Sequence, residues 1–256
     1  MAKQRDRKRA LLVLNSAESK RLIAKAVAQL PEVRAALEGG RLIIGNGTTN
    51  AYVAEELLGA PVPKWQFAAG VIAESRLAVT DGASRLAPFA LKHGKPHPEG
   101  WVDLLKEFDR DDVFIKGGNA IDPEGNVGVL LASPVGGTVG QMAGIIAARG
   151  AHLIAPIGLE KLVPDVLEAA RHCGIASTDW TDGLPSGMVV LSSPRVVTEI
   201  EALELLAGVE AWHVSSGGID GSEGAVTLVV EGPPAAVDKA IGLAESLAKE
   251  PAVTRG

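Results

Sequence analysis

The sequence predicts an α/β fold: a Rossmann-like, mostly parallel sheet flanked by helices, followed by a smaller C-terminal ferredoxin-like α+β domain. Apolar runs of strand length alternate with segments whose apolar residues recur every three or four positions, and this alternation is typical of βαβ units. Of the 256 residues, 46% are hydrophobic, only 4% are aromatic and 30 are glycine. Such a composition favours a sheet core of aliphatic side chains joined by tight loops.

Local patterns predict the elements of the first 185 residues. A helix follows Asn15 and Ser16, either of which can cap it, and the pair Gly39 and Gly40 ends it. The predicted helices span residues 16–38, 50–58, 138–149 and 160–172. The predicted strands span residues 41–44, 77–80, 113–115, 127–132 and 152–155. Their alternation implies one domain built around a mostly parallel sheet.

The pattern changes near residues 183–187, a stretch that contains Gly, Pro and Ser. We place a domain boundary there, between residues 1–185 and 186–256. The elements predicted after it are a strand at 188–191, a helix at 199–206, strands at 209–214 and 225–230, and a helix at 235–247. This order is that of a split β-α-β unit, in which two helices cover one sheet. We expect this unit to be a lid, a regulatory module or a homo-oligomer contact.

The charge of the chain argues against some partners. A net charge of −6 disfavours nucleic acid, whose binding depends on clustered Lys and Arg. One dense basic run is interpreted as a frayed terminus and consists of Lys3, Arg5, Arg7, Lys8 and Arg9. The apolar run after it is shorter than that of a signal peptide, and no stretch approaches the roughly 20 apolar residues of a membrane span. The single cysteine, Cys173, has no partner for an internal disulfide. We therefore expect a cytoplasmic protein without a membrane partner.

A Gly/Thr-rich loop, GNGTTNAY, joins the strand at 41–44 to a helix. Gly45, Gly47, Thr48 and Thr49 are candidate anion-binding residues, because glycine lets the backbone approach a ligand while helix amides and hydroxyls donate to it. The loop lacks the third glycine of a dinucleotide fingerprint and the Gly-Lys-Ser/Thr end of a P-loop, so no nucleotide cofactor is predicted. The alternative is a tight turn in which Thr48 or Thr49 is an ordinary N-cap.

A second loop of the same type contains Gly136, Gly137 and Thr138, again between an apolar strand and a helix. If the parallel strands lie side by side, both helix N-termini face the carboxyl edge of the sheet, where open α/β folds bind ligands. Thr138 as a simple helix cap is the alternative. The pair of loops strengthens the prediction of an anion site.

Lys116 follows the strand at 113–115 directly and precedes Gly117, Gly118 and Asn119. Its ammonium is expected at the strand end among the anion-binding loops, where it would neutralise a phosphate or an oxyanion. The alternative is a solvated lysine in a turn. Lys116 is therefore a candidate catalytic residue, and the two glycines and Asn119 are candidate anion-binding residues.

Three carboxylates are candidate acids or bases. Asp81 ends the strand at 77–80, and Asp122 and Glu124 follow Lys116 closely in the sequence. Each of the three also fits a turn, because Asp-Gly, Asp-Pro and Glu-Gly are common turn pairs.

A metal site is not predicted. His93 and His97 have the spacing of two ligands on one helix, but Pro96 and Pro98 disfavour a helix that displays both. No clear third ligand follows them.

The ordered segments GNGTTNAY, DGAS and IKGGNA resemble ribose-5-phosphate isomerase of the A type, within the larger group of sugar-phosphate isomerases, CoA transferases and related sensor domains. The resemblance covers roughly residues 16–130. It implies a set of functional residues: Gly47, Thr48 and Thr49 for the phosphate, Asp81 beside the sugar, Lys116 for negative charge, and Lys20 as a lysine of the first helix.

The chain departs from this family at Ser84, Arg85 and Asn119, where the family has aspartate, glutamate and glycine. The leading hypothesis is an isomerase-like or CoA-transferase-like enzyme that acts on a small phosphorylated or CoA-type metabolite through an enediolate-like or acyl intermediate. Lys116 would stabilise the oxyanion and one of the three carboxylates would move the proton. The alternative, favoured by Ser84, is a metabolite sensor that lacks the base. A third interpretation is an assembly component.

Overall fold

A computed structural model describes residues 6–255 of the chain. The strands are β1 (Lys8–Leu14), β2 (Arg41–Ile44), β3 (Gly70–Ala73), β4 (Arg76–Val79), β5 (Phe89–Lys92), β6 (Lys95–Pro96), β7 (Val113–Ile115), β8 (Ala120–Ile121), β9 (Val127–Leu131), β10 (His152–Pro156), β11 (Gly187–Val190), β12 (Arg195–Val197), β13 (Glu210–Ser216) and β14 (Val226–Gly232). The helices are α1 (Ser16–Val27), α2 (Pro31–Gly39), α3 (Thr48–Leu58), α4 (Lys64–Phe67), α5 (Trp101–Lys106), α6 (Gly137–Arg149), α7 (Val166–Arg171), α8 (Glu199–Ala207) and α9 (Pro234–Leu247). Within residues 6–255, none of the helices has the length and apolar character needed to cross a membrane.

The main sheet has six strands in the order β12-β10-β7-β2-β5-β6. The first four are parallel to their neighbours, whereas β5 and β6 add to the sheet in antiparallel orientation. The strands predicted at 41–44, 113–115 and 152–155 are β2, β7 and β10, with β7 between the other two. The α/β class is therefore confirmed, with a mixed sheet of parallel and antiparallel strands flanked by helices.

Helices cover both faces of the main sheet, because successive residues of a strand point to opposite sides. Ile44 and Ile115 pack with α1, α3 and α8 in one apolar cluster, and Ile43 and Phe114 pack with α5 and α6 in another. All four side chains are fully buried. A strand that is buried on both faces is apolar throughout, which explains why these segments stand out in the sequence.

Two predicted strands lie outside the main sheet. The segment predicted at 77–80 forms β4, which pairs with β3 in an antiparallel hairpin. The segment predicted at 127–132 forms β9, which lies in a three-stranded antiparallel sheet between β8 and β11. The expectation that both join the parallel sheet is wrong. An apolar run predicts a strand, but its neighbours are set by packing against segments that are distant in sequence.

Proline interrupts two of the predicted helices. The helix predicted at 16–38 is divided into α1 and α2, with Pro31 in the first turn of α2, where its missing N–H is tolerated. Asn15, one of the two predicted caps, accepts hydrogen bonds from the first turn of α1. The helix predicted at 160–172 is a 3₁₀ turn followed by the shorter α7, since Pro164 between them cannot donate a helical hydrogen bond.

The basic segment near the N-terminus is not frayed in the part that the structure describes. Lys8 begins β1, which pairs with β14 in antiparallel orientation along its whole length. Leu14 of this strand is buried and Leu11 is exposed, which is the alternation of a strand with one solvated face. Lys3 and Arg5 lie outside the described residues. For Lys8 and Arg9 the frayed-terminus interpretation is wrong, because it overlooks this period of two.

The second sheet joins the two ends of the chain. Its order is β1-β14-β13, and α8 and α9 pack against it. The strand predicted at 188–191 is β11, which pairs with β9 and not with β13 or β14. The third strand of the second sheet is β1 instead. β12 likewise pairs with β10 in the main sheet. Sheet hydrogen bonds thus run across the boundary predicted at residue 185, and the division into 1–185 and 186–256 stays a prediction.

Leu14→Ala is expected to lower the free energy of unfolding by about 2–5 kcal/mol, because it removes a buried side chain from the core. Leu14 is 1% exposed and Leu11, on the same strand, is 64% exposed. The matched change Leu11→Ala is expected to alter stability by about 0.5 kcal/mol or less. Urea denaturation measures both, and equal effects would contradict the half-buried strand β1.

Candidate functional site

A cavity of about 300 Å³ lies at the carboxyl ends of β2 and β7. It brings together most of the residues predicted to bind an anion, and those that line it are Gly47, Thr48, Thr49, Lys116, Gly117, Gly118, Asn119, Gly136, Gly137 and Thr138. The β3–β4 hairpin forms part of the opposite wall. The loop after β9 reaches the cavity although β9 is not a strand of the main sheet.

The first turn of α3 faces this cavity with free amides. Its N-cap is Gly47, and no side chain caps the helix. The first helical hydrogen bond runs from the amide of Ala51 to the carbonyl of Gly47, at 2.9 Å. The amides of Thr48, Thr49 and Asn50 are therefore available to a ligand. The alternative in which a threonine is an ordinary N-cap is wrong, because neither hydroxyl accepts a capping hydrogen bond.

The first turn of α6 has the same character. Its N-cap is Gly136, and both Gly136 and Gly137 have positive φ, of 76° and 54°, a conformation that favours glycine. Gly140 donates to the carbonyl of Gly136 at 2.9 Å, which leaves the amides of Gly137, Thr138 and Val139 without a helical partner. Thr138 is not a cap, since no side chain caps this helix. Two helix N-termini thus open on one cavity.

Three cationic side chains, Arg85, Lys116 and Lys161, line the cavity, and no Asp or Glu of residues 6–255 lines it. Lys161 Nζ donates to the carbonyl of Gly118 at 2.8 Å. Lys116 Nζ has only two long contacts, with backbone carbonyls at 3.3 and 3.4 Å. Cations without facing carboxylates create a positive potential that favours a negatively charged ligand.

Both lysines have lowered pKa values. Burial, and secondly the positive charge of Lys161, lower the pKa of Lys116 to about 8. Burial and then the charge of Lys20 lower the pKa of Lys161 to about 8, although Glu160 and Glu199 act in the opposite direction. An anion placed near both ammonium groups would relieve these costs and stabilise their charged forms.

Asn50 adds an unpaired acceptor to the wall. The side chain is fully buried, and its Nδ2 donates to the carbonyl of Gly45 at 2.7 Å, which fixes the orientation of the amide. Its Oδ1 has no hydrogen-bond partner among the described residues and lies beside Gly117. A buried acceptor without a partner is costly.

Two of the predicted glycines serve close packing. A Cβ at Gly45 would lie 3.2 Å from Cδ of Lys116, and a Cβ at Gly118 would lie 2.4 Å from Cγ1 of Val127. Gly45 lies beneath the lining rather than in it. A side chain at Gly118 would overlap with Val127, and one at Gly45 would press against Lys116. Both glycines therefore allow the loops after β2 and β7 to pack closely.

Four predicted polar residues do not line the cavity: Lys20, Asp81, Asp122 and Glu124. Lys20 Nζ pairs with Glu160 at 2.7 Å and lies behind Lys161. Asp81 is exposed and accepts a hydrogen bond from the amide of Ala83 at 3.2 Å, within its own turn. Glu124 is also exposed in a turn. The two exposed carboxylates therefore have the turn geometry that was the alternative to a catalytic role.

Asp122 is buried, but its carboxylate is occupied. It accepts hydrogen bonds from the amide of Val166 at 3.0 Å and from the amide and Nδ2 of Asn126 at 2.8 and 2.9 Å. Burial alone would raise its pKa, but these hydrogen bonds outweigh burial and hold the pKa below its usual range. A carboxylate that is so stabilised is a weak base, and this position gives no support to proton transfer by Asp122.

The cavity also contains polar residues that the sequence did not identify: Asn46, Asn50, Arg85 and Lys161. Asn46 and Asn50 belong to the segment GNGTTNAY itself, so their position in it was a usable signal. Lys161 follows the carboxyl end of β10, in a segment predicted to be helical. Only the adjacency of β10 to β7 shows that this strand end is near Lys116.

Neither a protein-family model, nor a curated protein, nor a solved structure matches the chain. Of the three segments that resemble ribose-5-phosphate isomerase, GNGTTNAY and IKGGNA contribute to the cavity, whereas DGAS lies outside it. The resemblance itself stays a prediction. A function has to follow from the geometry of the cavity.

Asp122→Ala is expected to lower the free energy of unfolding by about 1–3 kcal/mol at pH 7, because it leaves buried amides without their acceptor. The folded-state pKa of Asp122 is lowered, so its stabilisation is present above the unfolded pKa of about 3.9 and is lost as the pH falls below it. The stability difference between the wild type and this variant should therefore shrink as the pH falls below about 3.9. Urea denaturation across pH measures it.

Glu124→Ala is the matched control, since Glu124 is an exposed carboxylate in the same turn. Its effect on stability is expected to stay within about 0.5 kcal/mol. An Asp122→Ala variant of unchanged stability would show that the carboxylate is not needed by the fold.

Proposed function

We propose that this protein binds a small phosphorylated metabolite in the cavity between the N-termini of α3 and α6. One observation carries the proposal: two uncapped helix N-termini and three cationic side chains meet in a cavity that no described carboxylate lines. Helix N-terminal amides and Lys or Arg side chains are the groups that proteins use to hold phosphate.

The size of the cavity favours a short phosphorylated compound. Its volume of about 300 Å³ is at the lower end of small-ligand sites, which span roughly 300–1,000 Å³. A triose or pentose phosphate is of this scale, whereas most of a CoA molecule would have to extend outside. We therefore favour a sugar-phosphate-like ligand over a CoA ester.

The position of the cavity supports a Rossmann-like description of the main sheet. Ligands of open α/β sheets bind outside the carboxyl ends of the parallel strands, and the loops after β2, β7 and β10 all contribute here. We propose in addition that β1, β13 and β14 with α8 and α9 are a ferredoxin-like layer, since two helices pack against one antiparallel sheet.

The polar lining bears on the choice between enzyme and sensor. Isomerisation through an enediolate needs a carboxylate or another base beside the substrate. Asp81, Asp122 and Glu124 do not line the cavity, so the geometry does not support the proton transfer expected of them. Binding without carboxylate-dependent chemistry, as in a sensor, fits this lining. So does chemistry that depends on a lysine amine.

Glycerol 3-phosphate tests the binding proposal, because it has a phosphate and hydroxyl groups but no carbonyl. It is expected to stabilise the protein in a thermal-shift assay, by about 2.7 kcal/mol at 100 times its dissociation constant. Glycerol without phosphate should have no such effect. Inorganic phosphate should compete with glycerol 3-phosphate in calorimetry. If neither phosphate compound binds, the proposal is wrong.

Lys161→Ala should weaken glycerol 3-phosphate binding by about tenfold or more, since a hydrogen bond to a charged group contributes about 1.5–3 kcal/mol. The control is Lys239→Ala, which removes an exposed lysine of α9 that is far from the cavity lining. Isothermal titration measures both affinities. Equal affinities of the two variants would place the phosphate elsewhere.

A further inference from the structure

Lys116 is the cavity lysine with the weaker hydrogen bonds. Its Nζ lies 3.4 Å from the carbonyl of Asn46 and 3.3 Å from the carbonyl of Gly117, whereas Lys161 Nζ lies 2.8 Å from its acceptor. Neither cavity lysine forms an ion pair with a described carboxylate, whereas Lys20 pairs with Glu160 and Lys64 pairs with Glu55, both at 2.7 Å. An ammonium group buried without a counter-ion is costly, and the unprotonated amine is less so.

The backbone holds this amine beside the proposed phosphate site. Lys116 directly follows the buried strand β7, and its side chain packs over Gly45, where an added Cβ would lie 3.2 Å from Cδ of Lys116. Its contact with Asn46 places Nζ next to the residue that precedes the N-cap of α3. A phosphate held by the amides of α3 therefore lies close to Nζ, and the carbonyl carbon of a triose phosphate is only a few bonds from its phosphate.

We propose that the Lys116 amine condenses with the carbonyl group of a phosphorylated aldehyde or ketone, so that the cavity holds this ligand through a reversible imine. The inference rests on the proposed phosphate site and names the ligand class. Arg85, Lys161 and the helix amides line the same cavity and are the groups that we assign to the phosphate, which leaves the amine of Lys116 for the carbonyl carbon.

The protonation state of Lys116 agrees with this role. Burial and the charge of Lys161 lower its pKa to about 8. Roughly a tenth of such an amine is unprotonated at pH 7, against well under a thousandth for a lysine of ordinary pKa near 10.4. The unprotonated amine is the nucleophile, and desolvation beside another cation is a known way to activate it.

The reaction balances without any other reagent. The lone pair of Nζ forms a C–N bond with the carbonyl carbon as the carbonyl π electrons move to oxygen, and a proton passes from nitrogen to that oxygen. The resulting carbinolamine loses water and becomes an imine, so that amine and carbonyl give imine and water with no change of oxidation state. When protonated, the imine withdraws electrons from the neighbouring carbon, as in Schiff-base enzymes.

Reductive trapping tests the proposal. The full-length protein is incubated with glyceraldehyde 3-phosphate or dihydroxyacetone phosphate and with cyanoborohydride, which delivers hydride to the imine carbon and leaves a stable secondary amine. Mass spectrometry of the digested protein is expected to show one reduced triose-phosphate adduct, on the peptide that contains Lys116. Inorganic phosphate should suppress the adduct, and glyceraldehyde without phosphate should give at least tenfold less.

Two variants separate the amine from its charge. Lys116→Met removes both and should abolish the adduct. Lys116→Arg retains a positive charge in the cavity but has no amine, so it should lose the adduct and still bind glycerol 3-phosphate. Lys239→Ala should form the adduct as the wild type does. Trapping on Lys116→Arg as strong as on the wild type, or spread evenly over surface lysines, would overturn the proposal.

The outcomes also distinguish this inference from the proposed function. If glycerol 3-phosphate binds to the wild type and no adduct forms at Lys116, the imine is wrong and the phosphate site stands. If neither glycerol 3-phosphate nor inorganic phosphate binds, the phosphate site is wrong. An adduct at Lys116 that phosphate does not suppress would likewise reject the site on which this inference rests.

Discussion

The backbone amides at the start of α3 and α6 lack partners, because glycine is the N-cap of both helices. Asn15 and Thr198, in contrast, form capping boxes at α1 and α8. The helices α2, α4, α5 and α9 also have no side-chain cap, but their N-termini do not line this cavity. Loss of a good N-cap costs roughly 1 kcal/mol, so two open termini at one cavity are a stability cost that a bound anion would offset. Both termini open on the cavity that Lys116, Lys161 and Arg85 also line, so the free amides and the cationic side chains favour negative charge at the same place.

The cavity exists because the parallel pairing continues beyond the strand ends. The amide of Gly45 donates to the carbonyl of Ile115, and the amide of Lys116 donates to the carbonyl of Ile154, both at 2.9 Å. These hydrogen bonds align three loops that are far apart in the sequence. Glycine at position 45 keeps the loops close, since a Cβ there would press against Lys116. Sheet geometry thus positions the backbone of Lys116 at the edge of the cavity.

The cavity is positive although the chain carries a net charge of −6. The nearest carboxylates lie behind the lysines rather than facing the cavity. Glu160 pairs with Lys20, and the fully buried Glu199 accepts a hydrogen bond from the amide of Leu159, beside Lys161. Burial raises the pKa of Glu199. Glu160 and Glu199 therefore lie near the lysines but do not line the cavity, so they do not cancel its positive charge.

Local sequence determined the α/β class, the strands β2, β7 and β10, both Gly-rich loops and Lys116. It did so because a strand buried on both faces is a continuous apolar run, and because glycine before a helix marks an open N-terminus. Only the tertiary structure decided that β1 pairs with β14 and that β4 and β9 lie outside the main sheet. It also decided that Lys161 lines the same cavity as Lys116 and that Asp122 accepts a hydrogen bond from Val166 instead. The physical reason is that residue periodicity sets which face of an element is buried, whereas neighbours across a sheet or a cavity are chosen by packing among segments that are distant in the chain.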